Sequence, residues 1–176
     1  MTSATLLCHP DTPCAVITDI AVEARRAPDG SLHLVYRLTG DLASLRMPDP
    51  APPARLDGLW CHTCCEAFVM AGYGPAYREY NYSPSGAWQA YAFSAYRAGG
   101  HPAAARPPGI ELCRTARTLT LSARIDAGEL PEAGPARLAL SVVVESQAGA
   151  IAYWALRHAP GQADFHHPDA FVLEPA

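Results

Sequence analysis

Tyr77-Arg78-Glu79-Tyr80-Asn81-Tyr82, Ser83-Pro84-Ser85-Gly86 and Ala87-Trp88-Gln89-Ala90-Tyr91-Ala92-Phe93 follow one another without a break. Two runs rich in aromatic residues flank four residues of turn chemistry. Ser and Pro favour the entry to a turn, and Gly accepts backbone angles other residues avoid. The stretch therefore reads as a β-hairpin. With Pro84 and Ser85 as the central pair, Asn81 falls opposite Trp88 and Glu79 opposite Ala90. Directly opposed side chains share a face and nearly touch.

The same pattern extends outward. Val16, Thr18, Ile20 and Val22 alternate with Asp19, Ala21 and Glu23, the period of a half-buried strand. Pro28-Asp29-Gly30 is a turn. Leu32, Leu34, Tyr36 and Leu38 then alternate with His33, Val35 and Arg37. Leu59 to Met70, Leu119 to Ile125, Leu138 to Val144 and Ile151 to Arg157 are further strand candidates, with Phe171 to Leu173 closing the series. The Pro-rich run from Arg46 to Gly58 is a loop, long enough to cover something. The Pro- and Ala-rich run from Gly99 to Gly109 is also read as a loop. No long amphipathic helix is apparent. Many short strands with regular turns predict an all-β, antiparallel two-sheet β-sandwich of about ten strands. The 176 residues suit one domain spanning 1–176.

Composition narrows the function. The net charge is -4, and all 13 basic residues are Arg. A nucleic-acid partner needs a basic patch, and none is evident. Without Lys there is no Schiff-base Lys and no phosphate-loop Lys. The Arg-only, Ala-rich usage hints at a GC-rich bacterial genome. The N-terminus has no basic start followed by an apolar run, and no stretch approaches a membrane span. The expected address is the cytoplasm, with no membrane partner. Cys8, Cys14, Cys61, Cys64, Cys65 and Cys113 match no disulfide framework and are expected to be thiols, acting as small buried hydrophobes.

Polar groups inside strands point to a site. If Trp60 to Phe68 is one strand, Trp60, His62, Cys64, Glu66 and Phe68 share a face. Glu79 and Asn81 share another, with Trp88 opposite. Trp154, Leu156 and His158 share a third, followed by Asp164 and His166. An indole face beside an amide and a carboxylate suits a sugar ring, which stacks by its C–H face and hydrogen-bonds by its hydroxyls. The plainer alternative is a satisfied polar network on the solvent face, with Trp88 in the core. A divalent metal at His62, His158, His166 and Asp164 requires distant segments to converge. Cys61-x-x-Cys64 is a weaker metal signal. No G-x-S-x-G, H-E-x-x-H or EF-hand motif is present.

Leu59-Trp60, His62-Thr63-Cys64, Glu66 and Phe68, then the run Tyr77 to Arg97, then Tyr153-Trp154-Ala155-Leu156, His158, Pro160 and Asp164-Phe165-His166 resemble bacterial stand-alone DOMON-like proteins, relatives of the family-nine carbohydrate-binding modules. The likeness runs from Leu59 onward. It implies a ligand cavity on or between the sheets, and a sugar or haem as ligand. The haem-binding members use Met and His as axial ligands, but Met47 and Met70 sit in no matching motif. The sugar-binding modules clamp a sugar between two Trp, which Trp88 and Trp154 would supply here.

The function expected is thus non-catalytic binding of a small ligand, a carbohydrate first. No cofactor is predicted, with haem or a divalent metal as the alternative. The expected site is Trp60, His62, Glu66, Glu79, Asn81, Trp88, Trp154, His158, Asp164 and His166. The other class is a small enzyme using Glu66 and Glu79 with His62 or His166. A buried carboxylate with a raised pKa beside a His favours the enzyme. A dry aromatic slot with uncharged polar groups favours the binder.

Overall fold

The computed structural model describes residues 1–72, 74–130 and 136–175. It contains twelve strands: β1 Thr2–Thr5, β2 Leu7–Cys8, β3 Ile17–Arg26, β4 Leu32–Gly40, β5 Cys64–Ala71, β6 Tyr77–Tyr82, β7 Trp88–Ala95, β8 Ala98–Pro102, β9 Gly109–Arg114, β10 Thr118–Ile125, β11 Ala136–Glu145 and β12 Ile151–Ala155. Among the described residues helix is limited to three single 3₁₀ turns, so no described helix is long and apolar enough to cross a membrane. The strands form two antiparallel sheets. One has the order β1-β3-β4-β10-β9, the other β2-β12-β11-β5-β6-β7-β8.

Alternation explains how the sheets meet. Ile20, Val22, Ala24, Leu34, Tyr36, Leu38, Leu119 and Leu121 project from the five-stranded sheet, all nearly solvent-free. Cys65, Ala67, Val69, Tyr80, Tyr82, Trp88, Ala90, Leu140, Val142 and Trp154 meet them from the seven-stranded sheet in one continuous core. The Tyr36 hydroxyl crosses between the sheets and donates to the Glu66 backbone carbonyl at 2.8 Å. This buried bond fixes β5 against β4.

The seven-stranded sheet has a second apolar cluster on its far side, built from Phe68, Met70, Tyr77, Ala139, Val143, Phe165 and Phe171. The chain after β12 folds back over that face to supply Phe165 and Phe171. It ends with Leu173 pairing to Leu138 through two backbone bonds of 2.8 and 3.1 Å, beyond the reach of β12. A sheet covered on both faces carries apolar residues on both, as β5 and β11 do.

Several sequence expectations need correction. The β6–β7 hairpin forms, but its register differs by one residue. Ser83 pairs with Ala87 across a three-residue loop, because Gly86 takes φ +94° in the left-handed region that glycine tolerates. Trp88 therefore opposes Tyr82, and Asn81 opposes Gln89. A shift of one residue sends each side chain to the other face. The segment from Leu59 is not one strand. Leu59–Cys61 is a 3₁₀ turn and β5 begins at Cys64, so Trp60 and His62 are not in the alternation of Glu66. The run 99–109, expected as a loop, contains all but the first residue of β8 and the first residue of β9. Of the cysteines, all free, only Cys64 and Cys65 are buried.

Candidate functional site

A cleft of about 380 Å³ lies on the outer face of the seven-stranded sheet. Register builds its floor. Ser141 of β11 opposes Glu66 of β5, Glu66 opposes Asn81 of β6, and Asn81 opposes Gln89 of β7. The result is one polar row across four strands, every member at most 4% exposed. The next row sets Phe68 opposite Glu79 and Glu79 opposite Tyr91.

Part of this row is satisfied internally. Asn81 Nδ2 donates to Glu79 Oε1 at 2.7 Å. Gln89 Nε2 donates to Asp57 Oδ1 at 2.8 Å and its Oε1 accepts from Arg55 Nε at 2.5 Å. Asp57 also accepts from the Tyr91 hydroxyl at 2.8 Å. The long Pro-rich loop thus does cover something: it runs beside the start of β7, where Arg55 lies over the Trp88 ring, and fixes Gln89 and Tyr91. Two atoms of the row are left over. Among the described residues, Glu66 Oε1 and Ser141 Oγ are buried without a hydrogen-bond partner. Leaving such a group unpaired costs about 1–3 kcal/mol.

Aromatic rings form the walls: Trp60, Tyr91, Phe93, Tyr153 and Phe165. Trp60 meets Tyr91 edge-on at 5.7 Å and remains 44% exposed at the rim. Phe93 stacks on Tyr77 at 4.7 Å. His166 is wedged between Phe68 and Phe93, each 5.0 Å away.

His166 reaches the cleft because the C-terminal segment is pinned. Asp164 accepts from Arg97 Nη2 at 2.8 Å and from the Tyr96 hydroxyl at 2.5 Å. Arg97, in the β7–β8 turn, is the non-glycine residue with positive φ (53°) among those described, a backbone strain typical of functional turns. Its N–H donates to the Tyr77 hydroxyl at 3.2 Å, and that hydroxyl meets His166 Nδ1 at 2.8 Å. A hydroxyl accepting from Arg97 still carries a proton it can donate, and the tautomer with its ring proton on Nε2 would take it at Nδ1. Nε2 faces Glu79 Oε2 at 3.7 Å.

The electrostatics follow from burial. Desolvation pushes the Glu66 carboxyl well above the usual carboxylate range, and the charge of Glu79 adds to this. Desolvation also raises Glu79, opposed by the hydrogen bond from Asn81 and the charge of Arg97. Burial, then the positive charge of Arg97, lowers His166 to about 4. The imidazole is neutral at neutral pH and both carboxyls hold protons more tightly than usual.

Of the residues expected from sequence, the structure gathers Trp60, Glu66, Glu79 and His166 around the cleft. Asn81 lies beneath it and Asp164 clamps its edge. Trp88 and Trp154 face the sandwich interior, so they form no clamp. His62 lies outside, with Nδ1 2.7 Å from Glu145. His158 sits at the β2 edge, bonded to the Leu7 carbonyl at 2.8 Å and packed edge-on against His9. Of the four residues weighed as metal ligands, Asp164 and His166 are neighbours, while His62 and His158 are engaged elsewhere. Among the described residues no group of three or more His, Cys, Asp or Glu is placed to hold a metal. Met70, weighed for haem, accepts at its sulfur from Arg137 Nη2 at 3.0 Å.

Sequence reading missed Tyr91, Phe93, Tyr153, Phe165, Arg97 and Ser141. Alternation from Glu79 through the true register would have found Tyr91 and Phe93. Tyr153 was overshadowed by its neighbour Trp154, which points the other way.

No family model matches the sequence, and a search of curated proteins gives no match. Two solved structures share the fold. One, from Bacteroides uniformis ATCC 8492, is described as a candidate carbohydrate-binding protein. It is 14% identical with a TM-score of 0.66, over 97% of this chain and 84% of that one. The other is a family-nine carbohydrate-binding module from Caldicellulosiruptor kristjanssonii in complex with glucose. It is 11% identical with a TM-score of 0.54, over 81% of this chain and 69% of that one. At these identities the likeness is one of fold: this chain is a β-sandwich of the kind found in carbohydrate-binding proteins.

Proposed function

We propose that this protein binds a carbohydrate in the cleft on the outer face of the seven-stranded sheet, without turning it over. The observation that carries this reading is the floor itself. Glu66 Oε1 is a buried hydrogen-bonding atom with no partner among the described residues, at the base of a cleft walled by aromatic rings, and Ser141 Oγ, opposite Glu66 in the same row, is likewise unpartnered. Ligand hydroxyls would satisfy the floor while the rings take the C–H faces. Concave sites with apolar walls and a few placed polar groups are the usual form of small-ligand sites. The fold shared with the glucose-bound module supports the same reading. DOMON-like ancestry, a cytoplasmic address and a single-domain chain are further parts of the proposal.

A second reading has a specific observation in its favour. Two buried carboxyls with raised pKa beside a histidine are what an acid/base enzyme displays. Yet such catalysis needs groups pushed in opposite directions, one holding its proton and one accepting. Here both carboxyls are pushed up, and His166, at about 4, is a weak base near neutrality. The two carboxyls are not split into an acid and a base by opposite shifts, which favours binding.

Isothermal titration with a panel of neutral mono- and oligosaccharides tests the reading, alongside chromogenic aryl glycosides. Saturable binding that Trp60→Ala weakens, with no aryl release, supports it. Aryl release that Glu79→Gln abolishes would replace it with the enzyme.

A further inference from the structure

The proposed sugar site contains an imbalance of charge. Acidic groups near the cleft differ in their partners. Asp164 has Arg97 at 2.8 Å, and Glu145, outside it, has Arg46 at 2.6 Å. Glu66 and Glu79 have no arginine partner among the described ion pairs. Arg97 is turned to Asp164, and the residue nearest Glu79 is His166, whose Nε2 stands 3.7 Å away. Burial, with the charge of Arg97, keeps that ring neutral near neutral pH. Glu66 is 3% exposed and Glu79 is 5% exposed, so neither charge is relieved by bulk water. Buried carboxylates are ordinarily paired.

The walls match the floor. Trp60, Tyr91, Phe93, Tyr153 and Phe165 surround the same space. Aromatic faces attract cations by about 0.5–2 kcal/mol, more as water is excluded. Carboxylates and aromatic rings are the two recognised ways to hold an ammonium group, and here both line one cleft. Neutral hydroxyls would satisfy Glu66 Oε1, but would leave Glu66 and Glu79 without a cation in contact.

We propose that the ligand is an amino sugar with a free, protonated amine, whose ammonium sits at Glu66 and Glu79 while the ring lies between the aromatic walls. This rests on the carbohydrate reading and narrows it. The step is ion pairing with loss of a proton from the carboxyl pair to solvent; no covalent bond changes. In the free protein the pair holds a proton more tightly than usual. An arriving cation favours the ionised form and expels that proton.

The test is titration calorimetry with glucosamine, N-acetylglucosamine, glucose and ethanolamine, on the acid side of neutrality where the amines are protonated. Glucosamine should bind at least about tenfold tighter than glucose or N-acetylglucosamine. Repeating it in buffers of different ionisation enthalpy should show net proton release on glucosamine binding and none with glucose. Glu66→Gln should bring glucosamine down to the level of glucose. Equal affinity for glucose and glucosamine, or glucosamine binding without proton release, overturns the amino-sugar assignment and leaves the carbohydrate reading standing. Ethanolamine binding as tightly as glucosamine, with glucose inert, overturns the carbohydrate reading and the assignment with it. The proton-release measurement needs only the wild-type chain, so it decides the matter even if Glu66→Gln fails to fold.

Discussion

The two faces of the seven-stranded sheet are made by the same strands and have opposite characters. The inner face carries Ala67, Val69, Tyr82, Trp88, Val142 and Trp154, pressed against the other sheet. The outer face carries Glu66, Asn81, Gln89 and Ser141, equally buried but hydrogen-bonding. Both are covered, so burial does not distinguish them. What differs is the cover: another sheet on one side, and on the other a C-terminal segment that closes over Phe68 and Tyr77 but leaves a cleft beside them. The lesson is that aromatic residues are poor guides to a sugar site in such a fold. Two of the three Trp residues go to the core, and the binding surface is marked by polar groups where a core was expected.

The sharpest way to break the comparison is to truncate the inner face. Trp88→Ala should cost about 3–5 kcal/mol of stability, the range for a buried Trp, and leave affinity per folded molecule unchanged. Urea denaturation with a parallel ligand titration checks both. Lost affinity with stability intact would put Trp88 in the site after all.

The next effect belongs to the outer face and to pH. His166 is held at about 4 in the folded chain, against about 6.5 when unfolded. Between those values the unfolded chain takes up a proton that the folded chain refuses, so His166 lowers stability as pH falls from about 6.5 to 4. The loss is up to roughly 3 kcal/mol. His166→Gln should remove it, seen as a flatter pH dependence of the urea midpoint than wild type.

The carboxyls act with the opposite sign. A folded pKa raised above the unfolded value makes the ionised form costly, so Glu66 destabilises the fold at neutral pH and ceases to do so on acidification toward about 4.5. Glu66→Gln should therefore stabilise the fold near neutral pH, with the gain vanishing near pH 4. A gain that persists in acid would mean that charge is not the cause. The smallest stability effect should be at the rim, where Trp60→Ala should shift stability by less than about 0.5 kcal/mol while weakening sugar binding by more than about tenfold.

How far these faces could be read from sequence depends on the turns. Ile20, Val22, Leu34 and Leu38 announce their strands and their inward faces, because nothing interrupts the period of two. The β6–β7 hairpin is equally visible, but its register rests on whether Gly86 belongs to the turn or to the strand. Composition does not decide that; the positive φ of Gly86 does. One residue of error exchanged Trp88 for Gln89 beside Asn81. His62 was misplaced for a related reason. The apolar run from Leu59 hides the 3₁₀ turn that delays β5 to Cys64. Phe165, Arg97 and His166 converge only through the return of the chain after β12, a long-range event that local pattern does not encode.

The central claim is that ligand binds on the outer face and not between the sheets or at a pair of Trp rings. The three indole N–H groups report on it directly in a two-dimensional ¹H–¹⁵N spectrum during titration with glucosamine. The account predicts that the Trp60 signal moves and saturates with the ligand, while the Trp88 and Trp154 signals stay in place. Saturable shifts of the Trp88 and Trp154 signals, with that of Trp60 unmoved, would contradict it.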